Sequence, residues 1–262
     1  LNFMIHKSSI IHHNAKISAD VEIGPFCSIG ENVKIGEKCK LHSHINIQGD
    51  VTIGSNTEIF PFASIGSVPQ DLKYKGEDTK VIIGSSCKIR EYVTINKGTK
   101  GGGGVTIIGN NCLMMIGTHV AHDCLIGNNV IFANHSTLAG HVILKDNVVV
   151  GALSAIHQFS KIGEGAMIGG MSGVTADVVP YSTVVGNRAK LSGLNILGLK
   201  RRNIEKKEIS ELRKVYKYIF HNNRDTLRER VIDMKKKEFK EQTIQIFLEF
   251  LSGDSDRSFT LP

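Results

Sequence analysis

From Ile5 onward every sixth residue is aliphatic: Ile11, Ile17, Ile23, Ile29, Ile35, Leu41, Ile47, Ile53, Ile59 and Ile65 continue the series without a miss. The phase returns at Ile83, Ile89 and Ile95, and again from Ile108 through Met114, Val120, Ile126, Phe132, Leu138, Leu144, Val150, Ile156, Ile162 and Ile168 to Val174. A period of six matches neither the 3.6 of a helix face nor the unbroken alternation of a long strand. It matches very short strands joined by tight corners, and a fixed internal period is the mark of a solenoid. The five cysteines, Cys27, Cys39, Cys87, Cys112 and Cys124, keep the same phase, each two residues before an aliphatic position. They form no C-x-x-C pair and their number is odd, so we read them as small core filler in a reduced, cytoplasmic protein.

This pattern resembles the hexapeptide-repeat family, whose chains wind three hexads into each coil of a left-handed parallel β-helix. The resemblance implies an all-β left-handed parallel β-helix over residues 1–195, with loops thrown out at 66–82 and 98–105 where the phase breaks. Near residue 196 the composition changes: of 27 glycines only Gly198 and Gly253 follow. Ile209, Leu212, Tyr216 and Ile219 recur at helical spacing, as do Ile244, Phe247, Leu248 and Leu251, and "TLRE" at 226–229 reads as a capping box. Residues 196–262 are therefore expected to form a small α-helical C-terminal domain. That segment holds 16 Lys/Arg against 11 Asp/Glu, so most of the formal charge of +7 belongs to it. An acidic partner suits it better than nucleic acid, for which no motif is present. No segment approaches the ~20 apolar residues of a membrane span.

With three hexads to a coil, residues eighteen apart stack about 4.8 Å from one another. His122, Gly140 and Gln158 then form one column, Asp123, His141 and Phe159 the next, and Ala121, Ala139 and His157 a third, with His119 nearby in the first coil. Three readings of so many imidazoles stay open from the residues alone. They could be a general base with supporting imidazoles, a zinc site, or a polar strip. His6, His12, His13, His42, His44 and His135 fall outside the group and read as structural or solvated.

Six stretches in order, "SVPQDLKYKGE" (67–77), "GTHVAHDC" (117–124), "TLAGHV" (137–142), "AIHQF" (155–159), "GNRA" (186–189) and "NILGLKRR" (195–202), resemble the UDP-N-acetylglucosamine O-acyltransferase family that begins lipid A synthesis. The resemblance implies transfer of a 3-hydroxyacyl chain from acyl carrier protein to the 3-hydroxyl of UDP-N-acetylglucosamine. His122 would be the general base, Asp123 its orienting carboxylate, and the Gly140 N–H a donor to the developing oxyanion. Gln70, Asp71, Lys73, His119, His141, His157, Gln158, Asn195, Arg201 and Arg202 match substrate-binding positions, with both arginines directed at nucleotide phosphate. Gly170 and Arg188 match positions that limit acyl-chain length. No serine or cysteine nucleophile is called for, because a thioester is already activated; no metal and no cofactor are expected, and a homo-oligomer, a trimer in this family, is. Asn96 and Arg188 stand where relatives carry histidine, and Leu197 where an acid is usual, which bears on uridine and acyl contacts rather than on the base. Two other functions compete. A related UDP-sugar N-acyltransferase carries an extra N-terminal domain, whereas the hexads here begin at Ile5. A zinc-dependent β-helical carbonic anhydrase requires three histidines about one metal.

Overall fold

The computed structural model describes residues 5–221, 225–253, 255 and 257–262. Its first two-thirds is a three-sided parallel β-helix, formed among the described residues by sheets of nine, eight and ten strands, most only two residues long. Each coil lays one strand on each sheet. The register is the one that a six-residue period demands: Ile11 pairs with Ile29, Ile29 with Ile47, and Ile47 with Ile65, always eighteen residues on. The in-phase side chains point inward and stack, so that Ile47, Ile59, Ile65, Ile89, Ile95, Met114, Val120, Phe132, Leu138 and Val150 are all 0% exposed. All five cysteines are free and buried in the same column logic. Several donate their thiol to a carbonyl of the next coil, as Cys27 does to His42 and Cys124 to Ala139.

Tight corners require the left-handed region of backbone space, and eighteen described non-glycine residues adopt it. One corner runs through Lys38, Asn56, Ser86, Asn111, Asn129 and Asn147, four of the six being asparagine, a type for which positive φ costs least after glycine. A second stacks Phe26, His44, Phe62 and Tyr92 ring on ring, with centroids 4.9, 5.0 and 5.1 Å apart. This stack occupies one of the histidines that fell outside the predicted patch. The third corner carries Asp123, His141 and Phe159.

The two interruptions are visible as register jumps. Val81 pairs with Val51, thirty residues away instead of eighteen, and Val105 with Lys80, twenty-five away. Strand structure persists through Ser67 and resumes at Lys80, so the first loop spans 68–79, narrower than the phase break alone suggests. The second, between Asn96 and Val105, contains a 3-10 turn at Lys100–Gly102. Its extra residues fold back over the third corner, where Thr99 meets Asp123.

The coil closes with an antiparallel pair, Ser182–Val185 against Lys190–Leu194. Four helices follow: α1 Ile196–Arg201, α2 Lys206–His221, α3 Leu227–Lys235 and α4 Gln242–Ser252. Asn195 caps α1 by accepting the Gly198 N–H. The capping box predicted at 226–229 is present, with Thr226 and Glu229 each accepting the other's backbone N–H. Helix α2 buries Ile209, Leu212, Tyr216 and Ile219, and α4 buries Ile244, Phe247, Leu248 and Leu251, the two predicted stripes. The chain then returns to the β-helix, where Phe259 bridges Asp177.

Candidate active site

The site is built on the third corner. Consecutive residues of a strand point to opposite faces, but Asp123, at φ 60°, turns its carboxylate back toward the residue before it. The result is a 2.8 Å contact between His122 Nδ1 and Asp123 Oδ2. Asp123 is wholly buried at its side chain while the His122 ring is 13% exposed, so the dyad has one covered end and one open end.

Asp123 is fixed by three further bonds. Its Oδ1 accepts the Thr99 N–H at 2.8 Å, its Oδ2 the Thr99 hydroxyl at 2.6 Å, and its own N–H donates to Thr106 Oγ1 at 2.9 Å. Thr99 lies in the folded-back loop, and Gly102 of that loop approaches the carboxylate so closely that a Cβ there would collide with Asp123 Cγ. Sequence reasoning missed Thr99, Thr106 and Gly102. Thr106 keeps the repeat's phase, two residues before Ile108 and eighteen before Cys124, so the eighteen-residue map carried its signal; Thr99 and Gly102 lie in the interruption, and a loop's return path is not periodic.

This bonding also decides what the dyad can do. With both carboxylate oxygens accepting from N–H and O–H groups, Nδ1 of His122 carries the proton and Nε2 offers a lone pair. His122, Asp123 and His141 have ligand atoms within 4.8 Å of one another, the one group among the described residues that could hold a metal. A cation there would have to compete with the Thr99 donors for Asp123 and with Asp123 for His122. The donor set fits a hydrogen-bonded dyad better than a zinc centre.

Gly140 stacks on His122 as the eighteen-residue map predicts: the His141 N–H donates to the His122 carbonyl, and a Cβ at Gly140 would lie 2.5 Å from His122 Cε1. Among the described residues nothing accepts from the Gly140 N–H. His119 bonds through Nδ1 to Thr94 Oγ1 at 2.8 Å, and burial, with His122 adding to it, pushes its pKa below 6.5. Burial likewise lowers His141, against an opposing pull from Asp123 and Asp71. His141 stands edge-on to His122 at 5.1 Å and stacks on Phe159 at 4.5 Å. Asp71, Lys73 and Tyr74 line, with Thr99, His141 and Phe159, an open cleft of about 540 Å³.

Other predicted residues stand apart from the dyad. His157 and Gln158 lie two coils from His122, about 10 Å along the axis, on the same side of the prism but not in contact with it. Gln70 is exposed and does not line the cleft. Asn195 and Arg202, expected on substrate, are held by the chain itself. Asn195 spends its oxygen on α1 and its amide on the Gly165 carbonyl, while Arg202 pairs with Glu164 beside the Tyr181 ring. Arg201 is exposed and has no partner among the described residues, which leaves it the freer guanidinium of the two. Gly170 and Arg188 are exposed near the closing end of the coil, and a Cβ on Gly170 would make only an ordinary 3.4 Å contact with the Ala152 carbonyl. Asn96 is buried, donating to the Val68 carbonyl, and so ties the first loop to the coil.

Comparison with known proteins shows the family and the fold. Residues 177–260 match the model for "Udp N-acetylglucosamine O-acyltransferase; Domain 2" and residues 105–140 that for bacterial transferase hexapeptide repeats. An acyl-[acyl-carrier-protein]–UDP-N-acetylglucosamine O-acyltransferase of Rhizobium johnstonii is 41% identical over 98% of this chain and 94% of its own. Its counterpart from Paracoccus denitrificans is 49% identical over 78% and 77%. Among solved structures, the enzyme of Acinetobacter baumannii superposes with a TM-score of 0.95 at 43% identity, covering 98% of this chain and 100% of that one. The UDP-N-acetylglucosamine acyltransferase of Francisella novicida gives 0.95 at 37%, covering 99% and 94%. With such identity sustained across coil, corners and helical tail alike, the chain belongs to the UDP-N-acetylglucosamine O-acyltransferase family.

Proposed function

We infer that this chain transfers an acyl group from acyl carrier protein to an oxygen of UDP-N-acetylglucosamine, the reaction that opens lipid A biosynthesis. The acyl group is a 3-hydroxyacyl chain and the acceptor oxygen is the sugar 3-hydroxyl. The observation that carries the mechanism is the 2.8 Å His122–Asp123 bond with Nε2 left open. Nε2 takes the hydroxyl proton as the oxygen attacks the thioester carbonyl. Asp123 steadies the imidazolium so formed, and the Gly140 N–H donates to the oxyanion. As the tetrahedral intermediate collapses, the new ester C–O bond stays, the C–S bond breaks, and His122 returns its proton to the departing thiolate. No serine or cysteine nucleophile is needed.

The cleft between the first loop and His141 suits the sugar nucleotide, with Asp71 and Lys73 on the sugar and Arg201 toward phosphate. The C-terminal basic charge suits an acidic carrier. We read the working unit as a trimer of this chain in the cytoplasm. No helix of the described residues is long and apolar enough to cross a membrane.

The test is incubation with UDP-N-acetylglucosamine and a 3-hydroxyacyl carrier protein, followed by mass analysis of the sugar nucleotide. The product should gain one hydroxyacyl group on oxygen. His122→Ala should slow its formation ~100- to 10,000-fold in a protein that still folds. A folded His122→Ala variant with near-normal turnover would remove His122 from the chemistry.

A further inference from the structure

The C-terminal segment packs on the last coils, beside His157. Its backbone is pinned by Asp177, whose N–H donates to the Ser258 carbonyl at 2.9 Å and whose carbonyl accepts the Thr260 N–H at 2.7 Å. Leu191 adds a bond to the Leu261 carbonyl at 2.9 Å. Ser255 hydrogen-bonds the Asp177 carboxylate, which also takes the Lys161 N–H at 2.7 Å. So held, Arg257 reaches back a hundred residues in sequence. One arm of its guanidinium meets Thr175 O at 3.3 Å and the other meets His157 Nδ1 at 2.8 Å.

That second contact fixes a proton. A guanidinium has N–H donors only and stays charged, so a ring nitrogen bonded to it must supply a lone pair. The rival partner of the same Nδ1 is the Gln158 carbonyl at 3.3 Å, which can only accept and so demands a proton on Nδ1. Nδ1 cannot do both. The shorter, charge-assisted bond is the stronger.

We propose that Arg257 is a positioning residue: it holds His157 in the neutral tautomer with the proton on Nε2, so that this exposed ring offers a donor, not an acceptor, to an oxygen of the bound substrate. Because His157 sits two coils from His122, that oxygen is a carbonyl or phosphate oxygen remote from the bond being made. Without Arg257 the Gln158 carbonyl is the remaining partner, and the ring would present a lone pair where the substrate also presents one. The substrate half of this proposal rests on the acyltransferase reading above; the tautomer half does not.

The experiment is a long-range ¹H–¹⁵N correlation of the histidine rings in the full-length protein without substrate, with His157 identified by its loss in His157→Gln. In the wild type Nδ1 should appear unprotonated and Nε2 protonated. Arg257→Ala should move the proton toward Nδ1, and Arg257→Lys, also a pure donor, should keep the wild-type pattern. In turnover, Arg257→Ala should raise one KM about tenfold, the worth of one hydrogen bond, with kcat nearly unchanged and Arg257→Lys largely restored. A rise for the sugar nucleotide assigns the oxygen to that substrate, and a rise for the acyl donor assigns it to the acyl chain or its carrier. An Nδ1–H ring in the wild type, or the same tautomer in wild type and Arg257→Ala, overturns the proposal. An inverted tautomer with both KM values unmoved overturns its substrate half. If no acyl transfer occurs in any variant, the reading of the reaction fails while the spectra still decide the tautomer.

Discussion

Gly140→Ala is the substitution whose consequence the structure makes most explicit. Gly140 lies outside the left-handed region, so alanine fits its backbone, and the three atoms nearest an added Cβ all belong to the His122 ring. The added methyl would nevertheless sit 2.5 Å from His122 Cε1 and 2.7 Å from Nε2, where ordinary contact begins at 3.4 Å. The ring must therefore move by about 1 Å. Asp123 cannot follow, because Thr99 and Thr106 hold it, so the 2.8 Å His122–Asp123 bond stretches beyond useful range. A misplacement of about 1 Å at a reacting group costs ~100-fold, or about 2.7 kcal/mol of transition-state stabilisation. The Gly140 N–H survives the change, so the loss isolates the ring from the oxyanion donor. The assay is kcat/KM for acyl transfer beside thermal unfolding: activity should drop ~100-fold with little change in Tm. In a His122→Ala background the methyl meets no ring and should add less than about twofold. Activity within about threefold of wild type in Gly140→Ala, or a full further loss in the double variant, would refute the reasoning.

Two other expectations rest on equally specific features. Burial holds His119 and His141 below 6.5, so the folded chain binds fewer protons than the unfolded one once pH falls through that value; stability should therefore decline from about pH 6.5 downward until the folded values are passed. Urea midpoints between about pH 7.5 and 5 check this: His119→Gln with His141→Gln should flatten the slope, and an unchanged slope would assign it to other groups. Gly170→Met should be accepted by the backbone, since a Cβ there meets only an ordinary contact, and should shift acyl preference toward shorter chains, each excluded methylene forfeiting ~0.8 kcal/mol. Competition between long and short acyl donors reads the shift, and an unmoved preference in a folded variant would place the chain-length limit elsewhere.

How much of this was legible in the sequence depends on whether a residue obeys the period. Ile47, Phe132 and Cys124 could be placed in the core because an inward column is filled once per hexad. The same rule, taken three hexads at a time, put Gly140 beside His122 before any coordinates did. Contacts made by chain that leaves the period were not legible. Thr99 reaches Asp123 from an interruption, Arg257 reaches His157 across a hundred residues, and Arg202 turns to Glu164 because α1 happens to begin beside that coil. The eighteen-residue map also said that His157 lies two coils from His122. That is about 10 Å along the axis, on the same side of the prism as the dyad.

The corner that makes the fold possible also makes the dyad possible. A histidine followed directly by an aspartate would, on a strand, send the two side chains to opposite faces. Left-handed backbone at a non-glycine residue is unfavourable by ~1 kcal/mol or more, least so for Asn and Asp. Every coil has to meet that cost somewhere to turn a corner. Asp123 meets it where the turn also swings a carboxylate under the preceding imidazole. His141, at the equivalent corner one coil on, is turned in the same way, and the Phe159 ring stacks on it from the coil beyond. A corner residue with a longer side chain could keep the turn, but its carboxylate would no longer meet the fixed Thr99 donors. Asp123→Glu should thus preserve the coil and lose the orientation of His122, which makes the length of that one side chain a functional requirement, while the left-handed conformation it occupies is a requirement of the fold.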